Sequence, residues 1–275
     1  MKQPLPRGTV VDMQRMGSWV RVFAGYRHVV NEQRIDRWLQ QFEPADRDMA
    51  ARILDSVEFV SYEQLASAFR SVLNSQESWS VDPGQRVGKW RFVAFSSSSG
   101  ESGDTMLHRF RLANSLNGKK YNDLFIHKSE LVRADLSPQD TVVFVDDFCA
   151  TGQQVTDSWN ENIAELIPGQ PRALLIVYAA SLAAKKKVND ETPLTLISYI
   201  DLDESDNVFS PSCTHFNKQE KERLLHYCAR ADRRNPKGRG DCGLLTVFAH
   251  NCPNNSIPII HAHNARWEGL FRRYD

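Results

Sequence analysis

Thr141-Val-Val-Phe-Val-Asp146-Asp147-Phe-Cys-Ala-Thr151-Gly152-Gln-Gln154 is the stretch of this 275-residue chain that makes the most definite chemical demand. A short β-branched run, fit for a buried strand, delivers two adjacent carboxylates to its own carboxyl end. A tight turn of small residues, Ala150, Thr151 and Gly152, then enters a helix. Small residues let backbone N–H groups close on an anion, and a helix N-terminus adds partial positive charge. The two carboxylates would repel that anion, so they should face something neutral or cationic, such as sugar hydroxyls or a divalent metal. The stretch reads as a clamp for a ribose 5-phosphate. A capped helix after a strand that happens to carry two acids is the plainer alternative.

In its strand–loop–helix setting, Val142-Val-Phe-Val-Asp-Asp-Phe-Cys-Ala-Thr-Gly152 resembles the type I phosphoribosyltransferases. Their hallmark is four apolar residues, two acidic residues and a loop ending in Thr-Gly. The resemblance implies that Asp146 and Asp147 are the catalytic pair and hold the ribose hydroxyls of 5-phosphoribosyl 1-pyrophosphate. It implies that Phe148, Cys149, Ala150, Thr151, Gly152 and Gln153 wrap the 5-phosphate. It also implies Mg²⁺, held through the substrate rather than by a metal site of the chain. Many members continue Thr-Gly-Gly-Thr, whereas this chain has Gln153-Gln154, so a glycine and a hydroxyl are lost where the phosphate would lie. An earlier loop, Ser96 to Gly103, is the candidate pyrophosphate cup, with Ser97, Ser98, Ser99 and Gly100 at its centre; a Ser/Gly linker is the alternative. It holds no lysine or arginine, which leaves charge neutralisation to Mg²⁺. Arg109, Arg111, Lys119, Lys120 and Lys128 follow where the family carries a mobile catalytic loop, although a solvated helix face explains each alone.

The elements that must position these residues fall into three segments. Residues 1–87 form an N-terminal helical unit. Its first thirty residues give little sign of regular structure. Ile35, Trp38, Leu39 and Phe42 then mark one helix face, Ala50, Ile53, Leu54 and Val57 a second, and Leu65, Phe69, Val72 and Leu73 a third. Residues 88–209 alternate strands with helices, which predicts an α/β core with a parallel sheet. Strands are expected at 91–95, 124–126, 141–145, 173–178 and 194–200, and ligands in such folds sit beyond the carboxyl ends of the strands. Residues 210–275 form a C-terminal hood. It holds a helix from Lys218, a basic loop (Arg230, Arg233, Arg234, Lys237, Arg239) and two apolar runs, 244–248 and 257–260, read as strands.

Composition sets bounds on function. Lys+Arg and Asp+Glu are both 34, so nothing in the net charge marks a general nucleic-acid binder, while a local basic patch stays open. The most apolar stretch, Ala173 to Ala184, is far shorter than a membrane span. Five cysteines without a signal peptide suggest thiols in a reducing compartment, hence a cytoplasmic protein with no membrane partner. Cys242, His250, Cys252, His261 and His263 contain enough ligands for zinc, with His261 and His263 alternating on one expected strand face, yet the spacing matches no standard zinc site.

A second resemblance covers nearly the whole chain. Trp38-Leu-Gln-Gln-Phe42, Gly240-Asp-Cys-Gly-Leu-Leu-Thr-Val-Phe248 and Asn251-Cys-Pro-Asn-Asn-Ser-Ile-Pro258 look like phosphoribosyltransferase-like proteins of bacterial conflict systems, some encoded beside retron reverse transcriptases. That resemblance implies an anti-phage defence effector, with a retron-type reverse transcriptase, its non-coding RNA–DNA and a helix-turn-helix protein as partners. The expected function is transfer or hydrolysis of ribosyl phosphate from 5-phosphoribosyl 1-pyrophosphate. The alternative is a phosphoribosyl-binding sensor or assembly subunit without turnover.

Overall fold

The computed structural model describes residues 13–95 and 102–273. In chain order its main elements are α1 (Met13–Phe23), α2 (Glu32–Leu39), α3 (Arg47–Ser56), β1 (Glu58–Val60), α4 (Tyr62–Asn74), β2 (Trp90–Ala94) and α5 (Ser102–Ala113). Then come β3 (Thr141–Val145), β4 (Phe148–Cys149), α6 (Gln153–Ser158), β5 (Arg172–Ser181), α7 (Leu182–Glu191) and β6 (Thr195–Leu202). Last are α8 (Lys218–Ala231), β7 (Thr246–Phe248), α9 (Pro258–His261), β8 (His263–Asn264) and β9 (Trp267–Glu268). No helix among the described residues is long and apolar enough to cross a membrane.

Contacts divide the chain into two units, one of residues 63–203 and one that joins 1–62 to 204–275. This differs from three consecutive segments, because the N-terminal helices find their apolar partners at the far end of the chain. Each unit has its own logic.

The unit of residues 63–203 is an all-parallel sheet. β2 pairs with β3, β3 with β5, and β5 with β6, while β4 prolongs the β3 edge of β5. All five residues of β3 are buried, as a β-branched run in a doubly covered parallel strand should be. On one face Phe92 packs against Phe110 of α5 (5.2 Å between centroids), and Phe110 against Phe69 of α4 (5.4 Å). On the other, Val142 and Phe144 join Val155 of α6 and Ala184 and Val188 of α7.

The strand expected at 124–126 is a correction. A 3-10 turn occupies Lys119–Leu124, and only Phe125 bridges Phe92, in parallel, with the Ile126 N–H donating to the Phe92 carbonyl at 3.2 Å. Arg111 accounts for the short pairing. Its guanidinium donates to the Leu116 carbonyl and to Asn122, and lies 4.8 Å from the Phe125 ring, tying the segment to α5. Counting that bridge as a vestigial strand, the spatial order is second–first–third–fourth–fifth. The strand order therefore reverses between β2 and β3.

The second unit is mostly helical. α2 carries Ile35, Trp38 and Leu39 inward, with Asn31 capping it through the Arg34 N–H. These side chains share a core with Ile53 and Leu54 of α3, Leu224 and Cys228 of α8, Ile259 and Ile260, and Trp267. The indole N–H groups of Trp38 and Trp267 both donate to the Ile259 carbonyl, at 2.7 and 2.8 Å. β1 pairs in parallel with β7, Phe59 opposite Val247.

Three expectations fail in this unit. The N-terminal thirty residues contain a helix, α1, which buries Trp19 and Phe23. The run 257–260 is not a strand but leads into a helical turn, because Pro258 sits at its first position and favours helix initiation. His261 therefore ends a helical turn while His263 lies in β8, and the two do not share a strand face.

Candidate functional site

β3 ends at Val145, and the ladder to β5 continues through the two acids. The Asp146 N–H donates to the Ile176 carbonyl at 3.1 Å, and the Asp147 carbonyl accepts from the Tyr178 N–H at 2.9 Å. Asp146 Oδ1 also accepts from the Asp147 N–H at 2.9 Å. Both carboxylates are half-buried. They stand at the carboxyl end of β3, beside the point where strand order reverses, which is where open parallel sheets form their ligand crevice.

The loop that follows is fixed from β5 and α7. Phe148 and Cys149 pair with Ala179 and Ala180, so the chain leaves the acids as a strand edge rather than a free loop. Ser181 Oγ donates to the Ala150 carbonyl at 2.6 Å and accepts from the Ala184 N–H at 2.9 Å. One hydroxyl thereby caps α7 and holds the turn.

Gly152 adopts the left-handed region, φ 73° and ψ −17°. A Cβ there would lie 3.1 Å from the Ala184 carbonyl oxygen and 3.3 Å from Val188 Cγ2. Glycine meets both demands, the backbone angle and the close approach of α7. Beyond it α6 runs directly into a π turn at Trp159–Ile163. Trp159 is buried there, edge-on to Phe144 of β3, so α6 is anchored beneath the sheet's carboxyl edge.

The remaining side chains differ in role. Cys149 and Ala150 are buried, Phe148 and Thr151 half-buried, and Gln153 and Gln154 exposed. Thr151 Oγ1 accepts from the Gln153 N–H at 3.4 Å, and Gln153 Nε2 donates to Asp157 at 2.7 Å. Burial pushes the Cys149 thiol up to about 12; the Gly152 N–H turned toward its sulfur pulls the other way, and the Asp146 charge adds to the rise. Cys149 is thus a neutral thiol that packs the loop. The candidate pyrophosphate residues Ser97, Ser98, Ser99 and Gly100 lie outside the described residues.

Ser181, Ala184 and Val188 are the positioning residues that motif reasoning missed. A serine directly before the helix at Leu182 is a capping signal visible in the sequence. Its bond to Ala150, thirty-one residues away, is not.

Among the described residues no group of three His, Cys, Asp or Glu side chains could hold a metal ion. In the C-terminal set, Cys252 is buried against the Thr246 and Pro253 carbonyls, Cys242 accepts from Asn255, and His261 Nε2 lies 3.1 Å from the Ser256 carbonyl. At the acid pair, two adjacent carboxylates supply too few oxygens for a protein-only Mg²⁺ cage. They fit an ion that brings most of its ligands as water and substrate phosphate.

A family model described as PRTase-CE matches residues 35–273, most of the chain and parts of both units. A search of curated proteins finds no match.

Proposed function

Because this chain belongs to the PRTase-CE family, a phosphoribosyltransferase-like family, we propose that it binds 5-phosphoribosyl 1-pyrophosphate with Mg²⁺ and transfers or hydrolyses the ribosyl phosphate. The observation that carries this reading is the placement of Asp146 and Asp147 at the carboxyl end of β3, beside the strand-order reversal, with the Gly152 turn next to them. In the proposed complex the two carboxylates accept from the ribose hydroxyls, and the backbone of residues 148–153 lines the 5-phosphate. The bond from the anomeric carbon to pyrophosphate oxygen breaks, its electron pair leaving with pyrophosphate, and the acceptor or water forms the new bond to that carbon. The half-buried carboxylates stabilise the positive charge that develops on the sugar ring. Bound Mg²⁺ would supply charge neutralisation on the departing phosphate oxygens, with Asp146 or Asp147 as its protein ligand. The wider proposal, resting on the likeness to conflict-system proteins, is an anti-phage effector working beside a retron-type reverse transcriptase.

A second reading has its own support. Gln153 and Gln154 stand exposed where many phosphoribosyltransferases carry Gly-Thr. That departure suits a phosphoribosyl sensor or assembly subunit that binds without turnover.

Calorimetric titration with 5-phosphoribosyl 1-pyrophosphate, with and without Mg²⁺, tests the site against Asp146→Asn with Asp147→Asn. Binding by the wild type alone supports the assignment, and pyrophosphate release in the same samples separates enzyme from sensor. A folded double mutant that binds as tightly as wild type overturns it.

A further inference from the structure

From the loop after α8 we infer a second binding surface, for the phosphate backbone of a nucleic acid, formed by Arg233, Arg234, Lys237 and Arg239. The chain as a whole is neutral, so an uncompensated local charge needs an explanation. Elsewhere in this unit several cations are matched, Arg15 with Asp55, Arg52 with Glu220, Arg223 with Asp46 and Arg272 with Glu268. Among the described residues none of the four loop cations forms an ion pair. The loop's two acids, Asp232, whose Oδ1 accepts from the N–H groups of Arg234 (2.9 Å) and Asn235 (3.3 Å), and the exposed Asp241, leave the four cations in excess. Arg230 is left out of the set. It lies in the last turn of α8, 5.7 Å from the Trp267 ring, where the helix terminus and the indole account for it.

The loop is built, not slack. The Arg239 N–H donates to the Asn254 carbonyl at 2.8 Å, and Asn255 Nδ2 donates back to the Arg239 carbonyl at 2.8 Å. The Gly243 N–H closes on the Lys237 carbonyl at 2.7 Å. Gly238, at φ 78°, approaches so closely that a Cβ would stand 2.4 Å from the Asn255 carbonyl oxygen. A backbone pinned this way leaves mainly side-chain ordering to be lost on binding.

The type of partner follows from what accompanies the charge. Arg233, Arg234 and Arg239 are exposed, and guanidinium forks match phosphate oxygens two at a time. No large exposed apolar side chain lies in the loop, so it lacks the anchor that a protein interface is built around. It also lacks an exposed aromatic on which bases would stack. Charge and forks without apolar or aromatic company suit sequence-independent backbone contact.

Fluorescence anisotropy with short labelled DNA duplexes of two unrelated sequences, across a salt series, tests this. Four phosphate contacts give a slope of log affinity against log salt of about −3 to −4, a loss of roughly a hundredfold between 50 and 200 mM salt. Both sequences should bind alike. Changing all four to glutamine should bring the slope to near zero. Arg233→Gln with Arg234→Gln should reduce its size by about 2, which keeps the test open if the fourfold variant unfolds. Lys186→Gln with Lys187→Gln removes cations already paired with Asp190 and Glu191 and should change nothing. An unchanged slope in the loop variants, or no salt-dependent binding by the wild type, overturns the inference. Competition by polyglutamate as effective as unlabelled duplex also overturns it, in favour of an acidic protein surface.

Discussion

Gly152→Ala probes the loop at its tightest point. The substitution forces a side chain into the left-handed region, which costs about 1 kcal/mol or more for a non-glycine residue. It also places a Cβ 3.1 Å from a backbone carbonyl of α7, with Val188 Cγ2 at 3.3 Å. The Ala184 carbonyl belongs to a helix whose start is held by Ser181, so relief must come from shifting α7 or opening the turn. Together these cost about 2 kcal/mol, which lowers the Tm of the unit of residues 63–203 by roughly 4–8 °C. Gly17→Ala is the matched comparison. Gly17 lies inside α1, and its Cβ would meet only the flexible end of Arg21, at 3.5 Å. There alanine should stabilise by about 0.5–1 kcal/mol. Thermal unfolding followed by circular dichroism reads both variants, and calorimetry with 5-phosphoribosyl 1-pyrophosphate on the folded Gly152→Ala protein reads the loop. An unchanged Tm in Gly152→Ala would refute the claim that α7 packs against that turn.

Ser181→Ala removes a helix cap and the hold on Ala150 at once, and should cost about 1–2 kcal/mol in urea unfolding. Asp140 is 5% exposed and accepts from the Lys89 N–H, the Ser137 N–H and the Ser137 hydroxyl. Burial acts to raise its pKa, but those bonds outweigh it and hold the carboxyl below its ordinary value. Its contribution is therefore present above the unfolded carboxylate range, near pH 4, and is lost as pH falls through the lower folded value. Asp140→Asn should flatten that acid limb in a pH series of denaturant midpoints. His261 is held down to about 4, by burial first and by Arg273 second. Its neutral form favours the folded state above about pH 6.5, and this stability is lost as pH falls toward 4. A His261→Gln variant that keeps the wild-type slope across that window would refute the assignment. Cys149, pushed up to about 12, should react with a thiol reagent at neutral pH only as the protein opens, which a labelling time course under native and denaturing conditions distinguishes.

Much of the site's frame was legible because the signals were local. The run 141–145 is apolar, β-branched and short, and it forms β3 with those bounds. Ile35, Trp38 and Leu39 form the inward face of α2 because a 3.6-residue period leaves them no other arrangement. The adjacency of Asp146 and Asp147 to the end of that strand follows from the same run. What escaped was set by distant partners. Glu58–Val60 is a strand only because β7 lies beside it, and three residues carry no period to detect. Phe125 pairs for a single bridge because Arg111 draws its segment into a turn. In α1 Trp19 and Phe23 are a single i, i+4 pair, too few to establish a helical period. The hold of Ser181 on Ala150 and the packing of α7 on Gly152 exist only once the sheet has formed.

The parallel pairing of Phe59 with Val247 has a consequence for synthesis. Residues 63–203 hold every strand of the five-stranded sheet and can complete it as soon as they emerge. The helices α1 to α3, made first, must wait for β7, Ile259 and Trp267, made last. At about 5–20 residues per second that wait adds several seconds after the sheet is finished, with Ile35, Trp38 and Ile53 still seeking their core. Folding thus runs from the middle outward, and a released chain ending at residue 203 should yield a protease-resistant sheet preceded by cleavable helices. Completion of the second unit is a molecular record that translation has passed Phe271.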